Sequence, residues 1–170
     1  MTTNYQNDDQ KGRDLFIKFC SQQPKFTFNR AARKEYAKWD VSYYQNNQTF
    51  IGEIKVRDYE SDAFGEWFIQ ADKLEALKEL QKQIAGAKIS YINFYNDNLI
   101  RIWDLTDLDL KTLSSSMQKL QKNDYEEEVV WKKVYHLHNM DAIVTEETDS
   151  TKSIFANKII SEQEDDELPF

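Results

Sequence analysis

The segment TFIGEIKVR, residues 49–57, constrains this chain more than any other stretch in it. It reads as a β-strand, and a strand points residues i and i+2 to the same face. Glu53 and Lys55 therefore share one side of it. Just before it, EYAKWDVSYY (residues 35–44) alternates in the same way, with Ala37, Trp39, Val41 and Tyr43 on one face and Lys38, Asp40 and Ser42 on the other. The QNNQ between them is turn chemistry, so residues 35–57 predict a β-hairpin. Such a hairpin needs a sheet to join and a further layer to cover its apolar face.

The remaining periodicities supply that layer. Residues 8–22 predict a first helix, with Leu15, Phe16, Phe19 and Cys20 at helical spacing, Asp8 or Asp9 as N-cap, and Pro24 beyond its end. A basic linker follows. After the loop DYESDAF, residues 62–85 predict the strongest helix, striped by Phe64, Trp67, Phe68, Ala71, Leu74 and Leu77 and stopped by Gly86. KISYINFY (88–95) and LIRIWDL (99–105) read as strands joined by the turn NDN, followed by a short helix around 114–121 and a last strand over 128–137. The order α-β-β-α-β-β, with a further α and β, predicts an α/β (α+β) domain built on one central mixed β-sheet flanked by helices. Residues 1–144 are expected to form it, and residues 145–170 to be a mobile acidic tail with at most one short helix.

Composition narrows the setting. With 170 residues, 40% of them hydrophobic, the chain is long enough for one domain with a real core. Its one cysteine excludes an internal disulfide framework and suits a reducing compartment. No apolar run approaches the roughly 20 residues of a membrane span, and MTTNYQNDDQ lacks a signal-peptide layout. A cytoplasmic protein without a membrane partner is expected. The net charge of −8 argues against nucleic acid until its distribution is considered. Residues 11–39 hold eight Lys/Arg against two acids, while residues 124–170 hold thirteen acids against four bases. Lys25, Arg30, Arg33 and Lys34, with Arg57 from the strand, are candidates for a basic surface that meets phosphates. The alternative is a scatter of solvated cations.

The acid-any-Lys triplet occurs three times, at 9–11, 53–55 and 109–111. Only Glu53-Ile54-Lys55 lies in a strand, and the hairpin brings Asp40 beside Glu53. Adjacent carboxylates repel unless a cation lies between them. Mg²⁺ takes one or two carboxylates plus waters and substrate phosphate oxygens, and the Ile54 carbonyl can add a ligand. Lys55 would then orient the attacking water and offset charge on the phosphorane. In the bland reading these residues are the polar face of an exposed hairpin, with Asp40 and Lys55 as a cross-strand pair.

Asp40, then Glu53-Ile54-Lys55, then an amphipathic helix resembles the PD-(D/E)XK nuclease superfamily, with KWD standing where that pattern has Pro-Asp. The resemblance covers about residues 8–105 and implies a restriction-endonuclease-like fold. It also implies a Mg²⁺- or Mn²⁺-dependent deoxyribonuclease, with metal on Asp40, Glu53 and Ile54 and water activation by Lys55. An auxiliary role falls to Lys73 first and Gln70 second, three residues apart on the predicted helix. The first-helix acid that some members carry would be Asp14.

The C-terminal EQEDDELPF resembles the tip of bacterial and phage single-stranded-DNA-binding proteins. There Phe170 would fill an apolar pocket, its α-carboxylate would meet a cation, and Asp165, Asp166 and Glu167 would meet a basic rim beside Leu168 and Pro169. Such a tip recruits replication and repair proteins; the plain alternative is a solubilising tail. Two expectations follow: a metal-dependent nuclease of DNA replication, recombination or repair, or a single-stranded-DNA-binding protein on a nuclease-like scaffold. DNA is the partner in both, and self-association is compatible with both. His136 and His138 can share a strand face as metal ligands but read more simply as structural. Tyr43, Tyr44, Tyr91, Tyr95 and Trp103 read as core rather than as base-stacking residues. Cys20 reads as buried packing.

Overall fold

A computed structural model describes residues 4–32, 37–123 and 126–146. Helix α1 (Asn4–Gln22) lays Phe16, Phe19 and Cys20 onto one face of a six-stranded sheet. The strands are β1 (Phe26–Ala31), β2 (Val41–Gln45), β3 (Gln48–Val56), β5 (Lys88–Phe94), β6 (Leu99–Asp104) and β9 (Ile143–Glu146), adjacent in that order. Only β3 and β5 run parallel; the other neighbours are antiparallel. The opposite face carries helix α2 (Ala71–Gln83) and an antiparallel sheet ordered β4 (Glu66–Gln70), β8 (Glu126–His138), β7 (Ser115–Asn123). The result is an α+β fold with a central mixed sheet flanked by helices, as expected.

Two apolar clusters hold these layers. Under α1, Phe16 meets Tyr43 edge-on at 4.9 Å and Phe19 meets Phe26 at 4.8 Å. A Cβ on Gly12 would lie 2.9 Å from the Ile54 side chain, so the helix approaches β3 closely at this point. On the other face Leu74 and Leu77 of α2 pack with Ile51, Ile89, Tyr91, Trp103 and Tyr135. The β2–β3 turn has Asn46 and Asn47 at φ 50° and 63°, the left-handed backbone that a tight hairpin requires and Asn tolerates.

Several expectations are corrected. Residues 26–31, expected as linker, are strand β1, because Phe26 and Phe28 alternate with polar residues and face the α1 cluster. The strand expected at 35–44 begins at Val41; Trp39 packs on the α2-side cluster, whereas Val41 and Tyr43 face α1. The helix expected from residue 62 begins at Ala71. Trp67 and Ile69 are buried while Phe68 between them is half-buried, so period two wins over 66–70 and forms β4. The helix expected at 114–121 is strand β7, where Met117 and Leu120 imitate helical spacing but stand opposite Lys133 and Val130. The single expected sheet is therefore two. Strand β9 pairs with β6 through Glu146, past the expected boundary at 144. The tail from residue 147 onward, including Asp165–Phe170, lies outside the described residues, as do Arg33 and Lys34.

Candidate active site

Strand β3 puts Glu53 and Lys55 on its α2 side, next to Ile51. Glu53 is 2% exposed, and two ammonium groups reach the same carboxylate oxygen, Oε1: Lys55 at 3.5 Å and Lys73, from the first turn of α2, at 3.4 Å. The other oxygen, Oε2, is buried with no hydrogen-bond partner. Burying an acceptor of a carboxylate without a partner is costly. A site in which both cations crowd one oxygen and leave the second buried and unpartnered is suited to a ligand on that second oxygen.

Asp40 stands just before β2. Its N–H donates to the Gly52 carbonyl at 2.9 Å, which fixes it against β3. Its Oδ2 accepts the Ile54 N–H at 2.7 Å. Burial, then the Glu53 carboxylate, push its pKa up to about 7, against the opposing pull of the Ile54 N–H, Lys55 and Lys73. Arg13 of α1 approaches Oδ1 at 3.8 Å without offsetting this. The Ile54 peptide faces the β2 side, beyond the last β2–β3 pair, Val41↔Gly52; strand alternation directs its carbonyl to that same side.

These residues fit a hard divalent cation. The Glu53 carboxylate raises the cost of charge on Asp40, Glu53 Oε2 has no hydrogen-bond partner, and the Ile54 carbonyl is directed toward the β2 side where Asp40 stands; oxygen donors of this kind are what such an ion prefers. Among the described residues no group of three or more His, Cys, Asp or Glu gathers for a metal. A site of this kind would complete its shell with water and phosphate oxygens.

The structure brings Asp40, Glu53, Ile54, Lys55 and Lys73 together. Gln70 is the last residue of β4, and its side-chain oxygen accepts from Lys132 of β8 at 3.1 Å. It is thus not on the helix with Lys73, contrary to the expectation from sequence. Arg57 turns inward, donating to the Tyr91 hydroxyl at 2.6 Å and lying over the Trp67 and Phe68 rings. It ties β3 to β4 and is not an outward cation. Asp14 is exposed on α1 and accepts from Gln10 at 2.8 Å; the helix offers Arg13 to the site instead. Lys25 is exposed and Arg30 half-buried on β1, the edge strand of the large sheet. His136 and His138 do share a face, and Glu66 joins them. The Glu66 carboxylate lies 2.8 Å from Nδ1 of His136, whose Nε2 meets Ser116 Oγ at 2.7 Å, while His138 stands 3.7 Å from Glu66.

Sequence reasoning missed Arg13 and Lys132. Arg13 was findable, since it precedes Phe16 by one helical turn on the buried side of α1. Lys132 was not, because its place depends on the β4–β8 register.

No family model matches the chain, and no curated protein sequence matches it. Among solved structures, Hjc, a Holliday junction resolvase from Archaeoglobus fulgidus, an archaeal hyperthermophile, is similar at 13% identity with a TM-score of 0.47, over 77% of this chain and 93% of that one. Among the described residues no helix is long and apolar enough to cross a membrane.

Proposed function

We propose that the protein is a divalent-metal-dependent deoxyribonuclease of DNA replication, recombination or repair, of bacterial or phage type. The observation that carries this reading is the buried Glu53 carboxylate, held through Oε1 by two lysines and unpartnered at Oε2, beside an Asp40 whose pKa is pushed up to about 7. Mg²⁺ or Mn²⁺, when bound by Asp40, Glu53 and the Ile54 carbonyl, supplies a Lewis acid for a phosphoryl oxygen and a more acidic water. Lys55, half-buried, holds the water's orientation and offsets charge on the phosphorane. Lys73 holds Glu53 in place through Oε1, and Gln70, tethered by Lys132, lies at the same end of α2. Lys25 and Arg30 are the described cations proposed to meet the DNA backbone. The test is a labelled-oligonucleotide assay with Mg²⁺ and with chelator. Cleavage that needs the metal and is lost in Lys55→Ala, with the fold intact, supports the reading; no cleavage of single- or double-stranded DNA with either metal overturns it.

A second reading rests on the EQEDDELPF terminus. In it the scaffold binds single-stranded DNA without cutting, and Asp165–Phe170 recruits replication or repair proteins. Salt-sensitive binding without cleavage would favour it, provided that deleting Asp165–Phe170 also abolishes the recruitment of those proteins.

A further inference from the structure

Strands β7 and β8 are longer than the sheet they belong to. Strand β4 stops at Gln70, opposite Val134, so residues 126–133 of β8 pair only with β7. This leaves a two-stranded arm whose root lies beside Gln70, the residue before α2. Lys132 fixes the root there by reaching Gln70, just ahead of the helix that carries Lys73.

One face of the arm is unusual for a solvated surface. Trp131 is 61% exposed, with Val129 and Met117 exposed on the same face. Lys119, directly opposite Trp131, places its ammonium 5.3 Å from the indole centroid, and Lys133 lies over Tyr135 at 4.8 Å. The acids Glu126, Glu127 and Glu128 sit at the far end of the arm, where Glu126 and Glu128 pair with Lys122 at 3.1 and 2.9 Å. The stretch around Trp131 is thus aromatic and cationic, with the arm's negative charge gathered away from it.

We propose that this arm grips unpaired bases of a nucleic-acid strand, with Trp131 as the stacking platform and Lys119 and Lys133 as the phosphate-facing cations. The proposal rests on the nucleic-acid-processing reading of the adjacent site and names the substrate feature that site would receive: a single-stranded segment or a junction with unpaired bases. An open indole face offers a surface that any base can use, and flanking ammonium groups follow the backbone. The Lys119 ammonium over the ring holds the indole outward and leaves its other face for a base. A second copy of this chain is a poorer occupant, since two-fold pairing through this face would set the lysines around Trp131 against their own copies.

The test is fluorescence anisotropy in chelator with fluorescein-labelled single-stranded, duplex and gapped oligonucleotides of equal length, using the full chain. Trp131→Ala should weaken single-strand and gapped binding about tenfold or more, the order of one stacked base. Trp131→Phe should restore most of it, and duplex binding should change least. Intrinsic fluorescence gives a second readout, because Trp67 and Trp103 are buried and Trp39 is half-buried, so quenching by a single strand should vanish in Trp131→Ala. Equal single-strand affinity for wild type and Trp131→Ala overturns the proposal, and so does a shift from dimer to monomer with DNA binding unchanged. Cleavage separates the two claims: a protein that cuts with unchanged binding in Trp131→Ala refutes the arm and keeps the site. One that binds through Trp131 but never cuts refutes the site and keeps the arm.

Discussion

Replacing Asp40 by Asn should make the metal-free protein more stable while abolishing the proposed cleavage. The ordinary carboxyl pKa of 3.8 is raised to about 7 in the folded protein, first by burial and then by Glu53. A folded-state pKa above the unfolded one means that the folded state binds more protons in the window between them. Stability therefore falls as pH rises from about 4 to about 7 and is level above that. The shift is roughly three units, a ceiling of about 4 kcal/mol. Asn keeps an oxygen for the Ile54 N–H but carries no charge, so a gain of about 1–3 kcal/mol is expected at pH 8, or roughly 2–10 °C in Tm for a domain of this size. The gain should shrink as pH falls from about 7 and vanish only below about pH 3, where Asp40 is protonated in both states; at pH 4.5 a minor part of it remains. Thermal unfolding in EDTA at pH 8 and pH 4.5, for wild type and Asp40→Asn, measures both values. Added Mg²⁺ should raise the Tm of wild type at pH 8 and leave the variant unmoved. An Asp40→Asn protein no more stable than wild type at pH 8, or equally stabilised at both pH values, refutes the claim that Asp40 is destabilised by its setting.

Lys55→Ala should lower the proposed cleavage by at least about a hundredfold, within the range of a lost acid–base or electrostatic contributor, and, because it removes one of the two cations on Glu53 Oε1, should lower stability by about 1–3 kcal/mol without unfolding the protein; single-turnover assays measure the first and urea unfolding the second. Lys73→Met should reduce both activity and stability, the latter by about 1–3 kcal/mol at pH 8, since it removes one of two cations from a carboxylate that is 2% exposed; urea unfolding reads it. Gly12→Ala should cost about 1–3 kcal/mol, because its new Cβ would lie 2.9 Å from the Ile54 side chain and the helix must shift; the same urea series tests it, and an unchanged midpoint would show that α1 is not held against β3 as described.

What was legible in the sequence followed local periodicity. The β2–β3 hairpin, the Asn-Asn turn and the strand setting of Glu53 and Lys55 depend on neighbours within a few residues, and Asp40 follows from the hairpin's register. The failures lie where tertiary contacts choose between two locally plausible readings. Phe64, Trp67, Phe68 and Ala71 fit a helical stripe, yet residues 66–70 pair with β8, a partner more than sixty residues away. Residues 115–123 have a helix-compatible spacing of Met and Leu, and only the length of β8 makes them a strand. Arg57 reads as an outward cation because nothing nearby in sequence announces the Tyr91 hydroxyl that receives it.

The strand at 66–70 changes how the candidate site is held together. Had residues 62–85 been one helix, Lys73 would be positioned by that helix's stripe alone. Instead α2 starts where β4 ends, and β4 is pinned from two directions. Strand β8 pairs along its length, while Arg57 and Tyr91 reach across from the large sheet to the Phe68 carbonyl at 3.5 and 3.1 Å. Lys55 reaches Glu53 through two residues of one strand, whereas Lys73 reaches it through a junction of both sheets. The two cations on a single carboxylate oxygen thus have different supports. The arm formed by β7 and β8 is continuous with the support of Lys73 and not with that of Lys55. A strand gripped at Trp131 would load the element that sets Lys73, so substrate held by the arm and charge balance at Glu53 meet in the same β4–β8 pairing.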